Sequence, residues 1–183
     1  MHARSESNKL AKECIVTALI ELMKTRDYAS ITITDLAKKA GVSRMAYYRN
    51  YTSKEDIISS FADEVGSAIH EKLASLMPRA SVFDYFFELF AQLGAYSDLV
   101  LTAFHGGLGE LIHTQITKNM ALTFPTEGTT LVDKYRHVYL AGAFFNIFIE
   151  WLENGKKESV AQIARLCCSL SCEGCRLSFP EKE

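Results

Sequence analysis

Proline and glycine are scarce in this chain, at 3 and 10 of 183 residues. A β-rich fold turns often and draws on both, so the scarcity predicts a mostly helical protein. Long apolar runs are also missing. The longest stretch free of Asp, Glu, Lys and Arg is 13 residues, His137 to Ile149, whereas a spanning helix needs about 20. The first twelve residues are polar and charged, with no apolar segment of the kind that directs secretion. Cysteine is present in an odd number, 5, and 4 of these crowd between Cys167 and Cys175. That spacing is no disulfide framework, and a cytoplasmic location is the expectation. No G-x-S-x-G, H-E-x-x-H, Walker loop or strand-borne G-x-G-x-x-G occurs, so neither an enzyme nor a bound cofactor is expected.

What is present is globular: 48% hydrophobic and 23% charged residues. The length suits one medium domain or a small domain fused to a larger one. The net charge of −2 hides a division. Residues 1–54 carry ten Lys/Arg against five Asp/Glu, a net of +5, and the remainder carries −7. A basic first third on an acidic body points to a nucleic-acid-binding head, although clustering on a solvated face gives the same count.

Helical periodicity runs through most of the chain. Residues 8–25 place Leu10, Cys14, Ile15, Ala18 and Leu22 on one side. A short helix follows, with Thr34 as its expected N-cap, Asp35 in its first turn and Gly41 at its end. Ser43 then caps Arg44 to Asn50. Two short helices joined by three residues that include a glycine form a helix-turn-helix, with Tyr47 and Tyr51 one turn apart and facing the core. Residues 53–77 form a long rod that opens on Ser53-Lys54-Glu55-Asp56, close to a capping box, and stops at Pro78. Phe83, Phe86, Phe87 and Phe90 recur at three and four residues, and His105-Gly106-Gly107-Leu108-Gly109 breaks the helical run. A helix over Leu108 to Asn119 and a loop over residues 124–128 come next. Residues 131–152 are apolar almost all round, and a last helix spans Glu158 to about Cys175.

The segment Ala37-x-x-Ala40-Gly41-Val42-Ser43-x-x-Ala46-Tyr47-Tyr48-x-Asn50-Tyr51-x-Ser53-Lys54-Glu55 resembles the DNA-binding domain of the tetracycline-repressor (TetR/AcrR) family. The likeness covers residues 33–57 by motif and 8–77 by arrangement. Ala46 stands where the family usually has Thr, and Asn50 where it commonly has His. The resemblance implies an all-α protein with two parts. Residues 1–54 would be a three-helix helix-turn-helix domain and residues 55–183 a helical ligand-binding and dimerisation domain, linked by the rod of residues 53–77. It implies a homodimer built through the last two long helices, a palindromic operator in double-stranded DNA, and a repressor released by a small, largely apolar effector. A second reading keeps the fold as a ligand-binding or protein-interaction module that has given up DNA.

In the head, Ser43, Arg44, Met45 and Ala46 start the recognition helix, followed by Tyr48 and Arg49. Arg44 is the natural base reader, because its fork matches guanine O6 and N7. By the resemblance, Tyr48 and Lys54 contact phosphates, together with Thr34 and Asn50. In the body, Phe86, Phe90, Phe104, His105, Tyr139 and Phe144 are candidates for the walls of an effector cavity, although such aromatics are core residues first. His113 and His137 are scattered, and surface or structural roles suit them. Cys168, Cys172 and Cys175 share one helical face, an arrangement that suits a metal or an oxidant sensor. No tight-turn Cys pair and no His stand near them, so packing is the simpler reading and no metal is expected.

Overall fold

A computed structural model describes residues 2–76, 79, 81–123 and 130–172. Among them no strand occurs, and nine α-helices follow one another: α1 His2–Met23, α2 Ile33–Ala40, α3 Arg44–Asn50, α4 Lys54–Leu76, α5 Val82–Gly94, α6 Ser97–Ala103, α7 Gly109–Thr123, α8 Leu131–Glu153 and α9 Val160–Cys172. No helix among the described residues is long and apolar enough to cross a membrane.

Local chemistry sets the boundaries. The N-cap of α2 is Thr32 rather than Thr34. The Thr32 hydroxyl accepts from the Asp35 N–H while the Asp35 carboxylate accepts from the Thr32 N–H, a reciprocal capping box that starts the helix two residues earlier. Gly41 ends α2 with φ 67°, a left-handed value that glycine takes without a Cβ clash. Ser43 Oγ accepts from the Ala46 N–H and starts α3. At α4 the box is divided between two residues: Ser53 Oγ accepts from the Asp56 N–H, but the Asp56 carboxylate accepts from Thr52. Pro78, the expected stop of α4, and the loop over residues 124–128 lie outside the described residues. So does Cys175. The glycine run before α7 is a π-helical turn, Phe104–Leu108, in which Gly107 takes φ 85°.

Two apolar cores result. The first gathers Ile15 and Leu19 of α1, Ile31, Leu36 of α2, Tyr47 and Tyr51 at α3, and Ile57 and Ile58 of α4. It also takes Ala103 and Leu108, from α6 and the π turn, so it reaches well past residue 54. The second is built from α4, α5, α6, α7, α8 and α9, with Phe90 packed edge-on against Phe144, Phe148 and Trp151 at its centre. The Trp151 indole N–H donates to the Glu158 carbonyl and closes the turn between α8 and α9. Helix α4 contributes to both cores. Of the four phenylalanines of α5, Phe86 and Phe90 are buried and Phe87 is exposed.

Helix α8 is not buried all round. Leu131, Val132, Tyr135, Val138 and Tyr139 are more than half exposed, and Leu166 of α9 is nearly so. Three- and four-residue spacing makes the α8 residues one apolar stripe along its outer side.

Three caps depend on ionised carboxylates. The Thr32 backbone N–H holds Asp35 below the usual carboxylate range, the Thr52 backbone N–H does so for Asp56, and the Ser81 hydroxyl for Asp84. A lowered folded-state pKa contributes stability above the unfolded value and loses it as pH falls through the folded one. The melting temperature is therefore expected to fall progressively as pH is lowered from about 5 to 3. Asp35→Asn is expected to flatten that dependence. An acid limb unchanged in this variant would show that the Asp35 carboxylate is not held by the cap.

Candidate nucleic-acid interface and ligand cavity

Helix α3 has two faces. Tyr47 is fully buried, and its ring packs edge-on against Tyr48 and tilted against Tyr51. Burial pushes both buried phenols up to about 12, so neither ionises at neutral pH. The opposite face carries Arg44, Met45, Tyr48 and Arg49, all exposed, Met45 at 76%. These positions follow i, i+1, i+4, i+5, a single side of a helix. The Arg44 guanidinium lies 5.9 Å from the centre of the Tyr48 ring, which aligns the fork with the helix.

The remaining expected contacts sit around this face. Thr34 is exposed on α2, and Ser43 is exposed but spends its hydroxyl oxygen on the α3 cap. Ala46 is half-buried. Asn50 donates one amide N–H to the Ala46 carbonyl and keeps a second N–H. Lys54 is half-buried: its Nζ donates to the Tyr28 carbonyl at 2.7 Å and lies 4.2 Å from the centre of the Tyr28 ring. Two of its three N–H donors remain. The Tyr28 hydroxyl in turn donates to Glu55, so the turn before α2 is tied to the start of α4.

Charge pairing separates this face from the rest of the head. Lys12 pairs with Glu64, Lys24 with Asp98 and Arg26 with Asp35. Arg44, Arg49, Lys38 and Lys39 have no carboxylate partner among the described residues. Lys38 and Lys39, the last-turn cations of α2, were legible only as part of the head's excess charge. Unpaired cations beside an exposed helix are what a polyphosphate backbone requires.

A narrow cavity of about 70 Å³ lies deeper, between α4, α5, α6, α7 and α8. Ile58, Phe61, Val65, Gly66 and Ile69 of α4 form one wall, and Ile112, Gln115, Ile116 and Asn119 of α7 face them. Tyr85 and Leu89 of α5, Val100 and Ala103 of α6, and Phe148 of α8 complete it. Among the described residues no charged side chain lines it. Ile58 and Ala103 belong to the head's core, and Ile112 packs against it. The cavity and the head thus share a wall.

None of the six expected cavity residues lines this space. Phe90 is committed to the centre of the second core. Phe86, Phe144 and Tyr139 border a separate groove of about 80 Å³ between α8 and α9. Phe104 packs against Phe145, and His105 is exposed and paired with Glu153 at 2.9 Å. The aromatic pattern marked the core, while the cavity is walled mostly by aliphatic residues that periodicity cannot distinguish from core. In α9, burial pushes the Cys167 thiol up to about 12, Cys168 is half-buried and Cys172 exposed.

Residues 15–61 match the model of the bacterial regulatory proteins of the tetR family. That match runs from the middle of α1 through α2 and α3 into the first turns of α4. Over these residues the chain is similar to the TetR family. It is similar to the HTH-type transcriptional regulator AlkX of Mycobacterium tuberculosis, with 25% identity over 168 residues, 89% of this chain and 75% of that one. Its fold is similar to that of the fatty acid degradation regulator FadR of Bacillus halodurans, at TM-score 0.55 and 20% identity, covering 91% of this chain and 96% of the other. It is also similar to FadR of Thermus thermophilus, a repressor solved with lauroyl-CoA, at TM-score 0.50 and 19% identity over 94% and 98% of the two chains. The chain is a DNA-binding transcriptional regulator.

Gly66 sets how closely α4 and α7 approach across the cavity. A Cβ there would collide with Asn119 Oδ1 and lie 2.6 Å from its Cγ. Asn119 is itself held by the bond from its Nδ2 to the Gln115 carbonyl. Gly66→Ala gains up to about 1 kcal/mol of helix propensity but overpacks the seam at about 1–3 kcal/mol. A net loss of about 1–2 kcal/mol is expected in urea denaturation. Stability at or above that of the parent protein would rule out so close an approach.

Proposed function

We propose that the chain is a repressor that works as a homodimer on a palindromic operator and is released when a small, largely apolar effector occupies the cavity between α4 and α7. The observation that carries this reading is the shared wall: Ile58, Ala103 and Ile112 touch the cavity on one side and the head's core on the other. An effector that needs more than about 70 Å³ displaces residues on which the head is seated. The switch then requires the effector to bind the displaced arrangement more tightly than the closed one, since equal affinity shifts nothing.

In this reading residues 1–54 form the DNA-binding head and residues 55–183 the effector and dimerisation domain. Arg44 reads a base in the major groove, with Ser43, Met45 and Ala46 beside it at the start of α3. Tyr48, Arg49, Asn50, Lys54 and Thr34 hold phosphates, joined by Lys38 and Lys39. The exposed stripe on α8, with Leu166 of α9, is the surface that pairs with a second copy. A two-fold pair places two α3 helices on successive major grooves, which is what a palindrome requires.

Selection of a random DNA library by the full-length protein at low salt tests the reading. The expected outcome is an enriched palindrome. Absence of any enriched sequence, from protein shown free of copurified ligand, would favour an interaction module that has given up DNA. On the enriched site, Arg44→Ala is expected to cost about 1–3 kcal/mol and to relax the choice at one position per half-site. Lys54→Ala is expected to weaken all sequences alike and to lower the salt slope by about one for each phosphate that the lysine neutralises. An equal loss on operator and random DNA for Arg44→Ala would exclude it as a base reader.

A further inference from the structure

We infer that the cavity is built for a neutral, unbranched amphiphile whose polar end donates a hydrogen bond, and that Gln115 Oε1 is the acceptor that selects it. The inference rests on the reading that this cavity is the effector site.

The lining excludes charge. Among the described residues it holds no Lys, Arg or His to neutralise an anion, and no Asp or Glu to hold a cation. A carboxylate drawn into it would be buried with no cation to neutralise it, which is far costlier than leaving it in water. Its polar side-chain groups are the Tyr85 hydroxyl and the amides of Gln115 and Asn119. Tyr85 and Asn119 have partners of their own. Gln115 is different. Its Nε2 donates to Ser59 Oγ at 3.1 Å, but its Oε1 is buried and has no hydrogen-bond partner among the described residues. A buried acceptor left unmade is unfavourable, and a ligand that brings a donor removes that penalty on binding. A ketone or ester brings only acceptors and leaves it in place.

Shape adds the second criterion. The α4 wall runs from Ile58 to Ile69, eleven steps along the helix, or about 16 Å at 1.5 Å per step. About 70 Å³ spread over that length is a slot, suited to one alkyl chain rather than to fused rings. The bond to Ser59 places Gln115 at the end of the slot nearest the head, close to Ile58 in sequence. The polar end of the effector therefore lies beside the shared wall, and its chain runs toward Ile69.

Calorimetric titration of 1-decanol, 2-decanone and decanoate into the full-length protein tests this. The alcohol is expected to bind about ten-fold or more tightly than the ketone and than the carboxylate, the size of effect that one unmade buried hydrogen bond produces. In Gln115→Leu the alcohol and the ketone are expected to converge to within about three-fold, with ketone binding retained. Circular dichroism checks that the variant is folded, and the comparison in the parent protein stands without it. Equal affinities for alcohol and ketone in the parent protein, tightest binding of decanoate, or an undiminished alcohol preference in Gln115→Leu would each overturn the inference while leaving the cavity as the effector site. Failure of all three compounds to bind would overturn both.

Discussion

Helix α4 is packed into two cores at once, and the rest of the molecule follows from that constraint. Its first turn places Ile57 and Ile58 among the head's buried residues, and its later turns place Val65, Ile69 and Leu73 in the body. A helix is stiff over this length, so the two ends cannot relax independently. The Lys54 and Glu55 contacts to Tyr28 fix its start to the turn before α2. Lys118 pairs with Asp63 through both carboxylate oxygens and fixes its middle to α7. Any change in the α4–α7 spacing is thus delivered to the seat of the recognition helix.

The electrostatics of the head serve the same division. Cations that face the body or the neighbouring helices are paired with carboxylates, and those around α3 are not. Exposed pairs contribute little stability, but they neutralise charge away from α3. Arg44, Arg49, Lys38 and Lys39 are therefore cations of the basic head that no carboxylate neutralises among the described residues. This geometric sorting turns a weak compositional signal into a directed one.

Much of this was legible in the sequence, because the informative features are local. Gly41, Ser43 and the Tyr47/Tyr51 pair act within one or two helical turns, and the structure has them as the periodicity predicts. The cap of α2 was misplaced by two residues because Thr32 and Thr34 are the same residue type, and only the position of Asp35 three residues after Thr32 separates them. The cavity was not legible. Phe86, Phe90 and Phe144 carry the strongest apolar signal, and that signal reports burial, which core and cavity wall share. What separates a wall from a core is a gap, and a gap depends on the approach of two helices distant in sequence. Gly66, which sets that approach, is by its sequence neighbours an ordinary glycine within a helical pattern. The exposed apolar stripe of α8 is likewise indistinguishable by composition from a second buried face.

The empty slot has an energetic meaning. An unfilled cavity destabilises a fold by about 24 cal/mol per Å³, so one of about 70 Å³ costs on the order of 2 kcal/mol. The unmade bond at Gln115 Oε1 adds to that cost. Larger side chains at Ala62 or Ala103, both on the cavity wall, would fill the space, and a leucine at position 115 would remove the orphan acceptor. A chain shaped for stability alone would have taken such substitutions. The closed form instead holds both defects next to the wall it shares with the head. In the proposed switch an effector relieves both, and that free energy is available to move α4.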